Sequence, residues 1–225
     1  MAEKAANKGE AEITNNGNAL NISGKIVNAD GSITILNEGD GGLNLADIGI
    51  IETEGLEMIN NGEAGLNIDG TITNVGTATI SNNAGTLLVN GTVNNDGNAT
   101  LTNDGDNFTV NGTITNKNGT LALLNENGAL DINTTGKVSN TGNTTITNNG
   151  VDGLNIHGTV NNGGKLDITN TGIAGLNIDG TVTSTGDITA TNSGEEGVNL
   201  ASAGRVNGEN NITIRNTAKG GVNVK

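Results

Sequence analysis

The sequence predicts an all-β chain: a right-handed, single-stranded parallel β-helix (β-solenoid) of about ten coils, each of about 22 residues and three short strands. Three observations predict it. An asparagine returns every 21 to 24 residues, each time two positions after an apolar residue: Asn15, Asn37, Asn60, Asn82, Asn103, Asn125, Asn148, Asn170, Asn192 and Asn216. Apolar residues at Ile26, Ile51, Ile72, Val93, Ile114, Val138, Val160, Val182 and Val206 each follow a glycine by two positions. The chain has 37 glycines, no Trp, Tyr, Pro or Cys, and Phe108 as its one aromatic residue. Without a pattern such a composition indicates disorder. A fixed period near 22 residues indicates instead a stack of like units, none able to bury its faces alone.

The coil at 65–83, GLNIDGTITNVGTATISNN, sets the frame. In its first strand Leu66 and Ile68 point inward, because side chains alternate on a strand. Gly70-Thr71-Ile72 opens the second strand with Ile72 inward. The third strand turns Ala78 and Ile80 inward and ends on the ladder residue Asn82. Asparagine suits such a corner because it tolerates left-handed backbone and its amide can bond to the same amide in adjacent coils. A second, weaker ladder follows the second strand at Asn28, Asn74, Asn95, Asn116, Asn140 and Asn162, interrupted by Thr53, Ser184 and Gly208. Two-residue insertions before Gly49, Gly136 and Gly204 mark where loops protrude. Right-handed winding is chosen because the tight six-residue repeats of left-handed β-helices are absent. Residues 11–225 carry the solenoid; residues 1–10 are a cap over its end, one or two helical turns, or a disordered segment.

The formal net charge is −14, unevenly spread: residues 26–116 hold twelve Asp and Glu and no Lys or Arg. Nucleic acid and anionic membranes need a basic footprint and are excluded as partners. No run reaches the length of a membrane span, so membrane insertion is not expected, and no signal peptide is visible. The acidic half serves solubility; its functional alternative is Ca2+ bridging between rods or to a surface. No other cofactor or metal is expected.

No catalytic set can be assembled. His157 is the one histidine and takes the slot held elsewhere by Ser23, Asp69, Asn90, Asn111 and Asp179. The carboxylate pairs Glu52/Glu54, Asp104/Asp106 and Glu195/Glu196 do not recur at one place in successive coils, as a repeated cage would. The stretch GDGGLN at 39–44 begins like a calcium-binding nonapeptide but is not iterated. Without Trp or Tyr there is no aromatic sugar platform, so a non-enzymatic chain is expected. Outward threonines (Thr71, Thr92, Thr113, Thr159, Thr181) and the pairs Thr100/Thr102, Thr145/Thr147 and Thr189/Thr191 form rows like an ice-binding face. Lys137, Asp167, Leu124 and Arg215 break them. Sequons at Asn98, Asn107, Asn118, Asn133, Asn143 and Asn211 follow from composition.

The phrases GLNIDGTITNVG, GLNIHGTVNNGG and GLNIDGTVTSTGDITA resemble repeats of filamentous-haemagglutinin-type exoproteins and autotransporter passengers, from about residue 11 to 225. The resemblance implies a long secreted rod on a bacterial surface. The chain departs from it in having no proline for the Asn-Pro motifs of the secretion domain, and no aromatic-rich strands for a membrane barrel. It resembles the shaft alone. The expectation is a shaft or fibre segment of a secreted surface adhesin or extracellular matrix protein, partnered by a host or matrix surface. The alternative is a filament subunit joined end to end through Val222, Asn223 and Val224; an ice-binding protein and a laboratory-made repeat stay open as minor ones.

Overall fold

A computed structural model describes residues 9–225, and these form strands, turns and bends with no helix. The reading of residues 1–10 as a cap or disordered segment falls almost wholly outside the described residues. From Ala11–Asn15 to Val222–Val224 each strand pairs in parallel with its counterpart one coil later. The offset is the predicted period: Leu66 faces Leu87, Ile72 faces Val93 and Asn82 faces Asn103. The chain is a parallel β-solenoid of about ten turns.

The three strands of a coil, such as Leu66–Ile68, Thr71–Asn74 and Ala78–Asn82, contribute to two sheets. First strands form a ten-stranded sheet; second and third strands join in one of seventeen. The joining occurs early in the chain, where Lys25–Asn37 and Ile50–Asn60 each run through both positions, their mutual register shifting between Asn28 and Ser32. Between Thr53 and Leu56 lie just Glu54 and Gly55, so that corner is too short for the bend that Val75, Gly76 and Thr77 make in the next coil. All three predicted insertions are tight turns over exposed residues, and each closes on a backbone bond: Gly49 N to Ala46 O at 2.7 Å, Gly136 N to Asn133 O at 2.8 Å, Gly204 N to Ala201 O at 2.8 Å. Ile48, at the tip of the first, is exposed.

Every predicted inward column is interior, thinning at the two end coils. Leu66, Ile68, Ile72, Ala78 and Ile80 are all buried, as is Phe108 in the column that begins Leu20, Leu43, Leu66, Leu87. Like residues stack on like, so the core is one continuous apolar column along the axis. From Gly49 onward the glycine before each second strand has a steric origin. Its carbonyl accepts the N–H of the residue that follows the corresponding glycine one coil on, as in Thr92 N to Gly70 O and Thr113 N to Gly91 O, each at 2.9 Å. A Cβ on Gly112 would fall inside the carbonyl oxygen of Gly91.

Candidate functional site

The ladder asparagines were expected to take left-handed backbone at the corner; they do not. The one described non-glycine residue with positive φ is Asn118, at 58°. The left-handed turns lie instead at glycines that open first strands, such as Gly65 (φ 85°) and Gly153 (φ 88°). Each ladder residue is the last of an extended strand, and alternation turns its side chain inward with the apolar residue two positions before it. Asn37, Asn60, Asn82 and the five that follow to Asn192 are 0% exposed. A buried amide must find partners for all its polar atoms, and here stacking supplies them.

All nine links of this ladder are present. Nδ2 of each asparagine donates to Oδ1 of the next, from Asn15 to Asn37 (2.6 Å) through Asn82 to Asn103 (2.7 Å) to Asn192 to Asn216 (2.9 Å). In most rungs the second N–H turns back to the corner carbonyl two residues on, as Asn60 does to Gly62 O at 2.9 Å. The side chain thus closes its own corner and clamps the next coil.

The second ladder is more continuous than its sequence suggests. Asn74, Asn95, Asn116 and Asn140 are linked at 2.5, 2.7 and 2.9 Å. Asn140 then donates to Thr144 Oγ1 (3.0 Å), whose hydroxyl donates to Asn162 Oδ1 (2.7 Å), and Asn162 donates to Ser184 Oγ (3.2 Å). Thr53 is the true break. Its hydroxyl reaches the carbonyls of Gly31 and Gly55, and the buried Oδ1 of Asn74 is left without a donor.

A third ladder, missing from the sequence reading, runs outside the first strands. In the slot just after the first strand Asn111 donates to Asn90 and Asn133 to Asn111, at 2.7 and 2.6 Å, while on the first strand itself Asn44 donates to Asn21 and Asn67 to Asn44. It recurs as Asn177 to Asn155 and Asn223 to Asn199. Its donors point toward the chain's beginning, opposite to the inner ladder. The Asn of each LNI or LNL triplet was its visible signal.

His157 Nδ1 lies 2.6 Å from Asp179 Oδ1 at a partly exposed corner between two coils. The other ion pairs among the described residues are Lys25–Glu52 and Lys165–Asp167. No group of three or more metal-ligating side chains forms among the described residues, and no helix there is long and apolar enough to cross a membrane. The sequon asparagines are engaged between coils: Asn118 donates to Asp96, Asn133 to Asn111 and Asn211 to Asp187, while Asn143 accepts from Lys165 N. The threonine rows are in register but broken: Lys137 stands between Thr113 and Thr159, and Ala122 and Leu124 between Thr100/Thr102 and Thr145/Thr147. A shallow depression of about 440 Å³ lies at the outer corner after the second strand, lined by Thr115, Ser139, Asn161, Thr183 and neighbours.

Compared with family models, curated proteins and solved structures, the chain matches none.

The predicted self-association segment carries exposed apolar side chains. Val222 and Val224 are 48% and 65% exposed, and Ile212 in the same coil is 43% exposed. Val222–Val224 pairs with Val198–Leu200 on one side, and Ile212–Asn216 pairs with Ile188–Asn192 on one side. Among the described residues no strand pairs with the opposite edge of either.

Proposed function

We propose that the chain is a non-enzymatic structural rod, a shaft or fibre segment of a secreted bacterial surface adhesin or extracellular matrix protein. The observation that carries this reading is the unbroken inner ladder, nine buried amide links running along the axis. Each link couples neighbouring coils directly, so a load along the rod is shared by amide stacks at the corners and by backbone bonds on three sides. Ten coils at about 4.8 Å give a spacer on the order of 50 Å. The resemblance of GLNIDGTITNVG and its repeats to exoprotein shafts supports the same reading. An extracellular or cell-surface place, with a host or matrix surface beyond the rod, belongs to this proposal.

The test inserts the chain between a surface anchor and a terminal tag and measures tag height by atomic force microscopy. A rise of about 50 Å with no saturable binding to host cells or matrix by the rod itself is expected. Turnover of a polysaccharide or peptide by the isolated chain would overturn the proposal.

A further inference from the structure

We infer that the 225-residue chain docks head to tail on a second copy of itself, with its last coil continued by the first coil of the partner. The inference is independent of where such a rod is anchored. It rests on four matched features of the two ends.

The strands have matching register. The offset that runs through the solenoid places a second copy's Asn15 on Asn216, its Ile13 on Ile214 and its Ala11 on Ile212. The same offset places its Leu20 on Val222 and its Ile22 on Val224. The exposed apolar groups of the last coil thereby meet the partly buried Ile13 and Leu20 of the first.

The inner ladder ends with the right polarity on each side. Asn216 donates one N–H to Ala218 O and accepts from Asn192, and its other N–H has no partner among the described residues. Asn15 Oδ1 accepts a bond from Gly17 N at 3.3 Å, as the interior Asn60 Oδ1 does from Gly62 N. Asn60 Oδ1 accepts a second bond from the preceding rung, Asn37; at Asn15 no described residue fills that place, which Asn216 of another copy would take.

The outer ladder matches in the reverse sense. Asn223 donates to Asn199, so its carbonyl faces outward, while Asn21 accepts from Asn44 and keeps its N–H groups. Two antiparallel sets of amides would then cross the same junction.

The ends also differ in charge. Residues 205–225 carry Arg205, Arg215, Lys219 and Lys225 against Glu209. Residues 9–47 carry six acidic groups against Lys25. In the docked register Arg215 lies opposite Thr14 and diagonal to Glu12, a spacing that long side chains bridge across neighbouring strands.

Sedimentation velocity and negative-stain microscopy of the full chain over a range of concentrations test this. Concentration-dependent filaments of uniform width, one rod across, are expected. Val224→Lys sits on a side chain that is already exposed, so it should leave the circular dichroism spectrum and melting unchanged while stopping growth. Arg215→Glu and Glu12→Arg should each raise the concentration needed by about fivefold, and the double exchange should return it to within about twofold of the parent. A monomer at every concentration, side-by-side bundles, or growth that Val224→Lys leaves untouched would overturn the inference.

Discussion

Gly112 and Gly24 hold the same slot in two coils and face different demands. A methyl group on Gly112 would collide with the carbonyl of Gly91, itself hydrogen-bonded to Thr113 N. Gly24 has no described atom within 4 Å of its Cβ position, and its backbone is not left-handed. Gly112→Ala should cost about 1–3 kcal/mol through overpacking. Gly24→Ala should be neutral or stabilise by up to about 1 kcal/mol, by reducing the freedom of the unfolded chain. Urea midpoints at unchanged slope decide both. In the inner ladder, Asn103→Ala would orphan one N–H of Asn82 and the Oδ1 of Asn125. At about 1–3 kcal/mol for each buried group, the variant should lose about 2–6 kcal/mol. A loss under 1 kcal/mol would show that the ladder contributes little beyond shape.

At the scale of the element, the second ladder contains a defect that can be repaired. Thr53 offers one proton where its neighbours offer two, and Asn74 Oδ1 goes unpaired. Thr53→Asn should supply that donor and raise stability by about 1 kcal/mol, read as a higher thermal midpoint. A lower midpoint would mean that the short corner of Glu54 and Gly55 has no room for the amide. The first insertion offers a complementary test. Asp47 and Ile48 sit at the tip of an exposed turn, and the coil with Asp69 and Gly70 makes the same corner without them. Their deletion should change the melting temperature by no more than about 4 °C, the shift of about 1 kcal/mol in a chain of this size. Aggregation or loss of the β spectrum on deletion would place the turn among the elements that the stack needs.

Across the whole molecule, no coil has a partner for both its edges except through its neighbours, so folding should be cooperative along the rod. The acidic early coils and basic last coil lie at opposite ends, which favours head-to-tail encounter over side-by-side packing. If docking follows that polarity, added salt should slow filament growth, because screening shortens the range of the attraction to about 8 Å at physiological ionic strength. Growth that accelerates with salt would point to apolar stacking of Val222 and Val224 as the sole driving force.

The amino-acid sequence by itself determined the solenoid, its period and its register. Alternation assigns an inward side to Leu66, Ile68, Ile72 and Ile80, and the recurrence of Asn82 with Asn103 aligns one coil with the next. A strand pattern of period two has no freedom to slip by one residue without exposing its whole apolar set. What the tertiary structure decided were contacts between residues that are never neighbours in sequence and have no shared periodic signal. Thr144 relaying Asn140 to Asn162, the orphaned Asn74, and the reversed outer ladder all depend on which way an amide or hydroxyl turns. The same holds for the ladder's backbone: asparagine suggested a left-handed corner, and stacking held it extended because a buried amide gains more from the coils beside it than from a local turn.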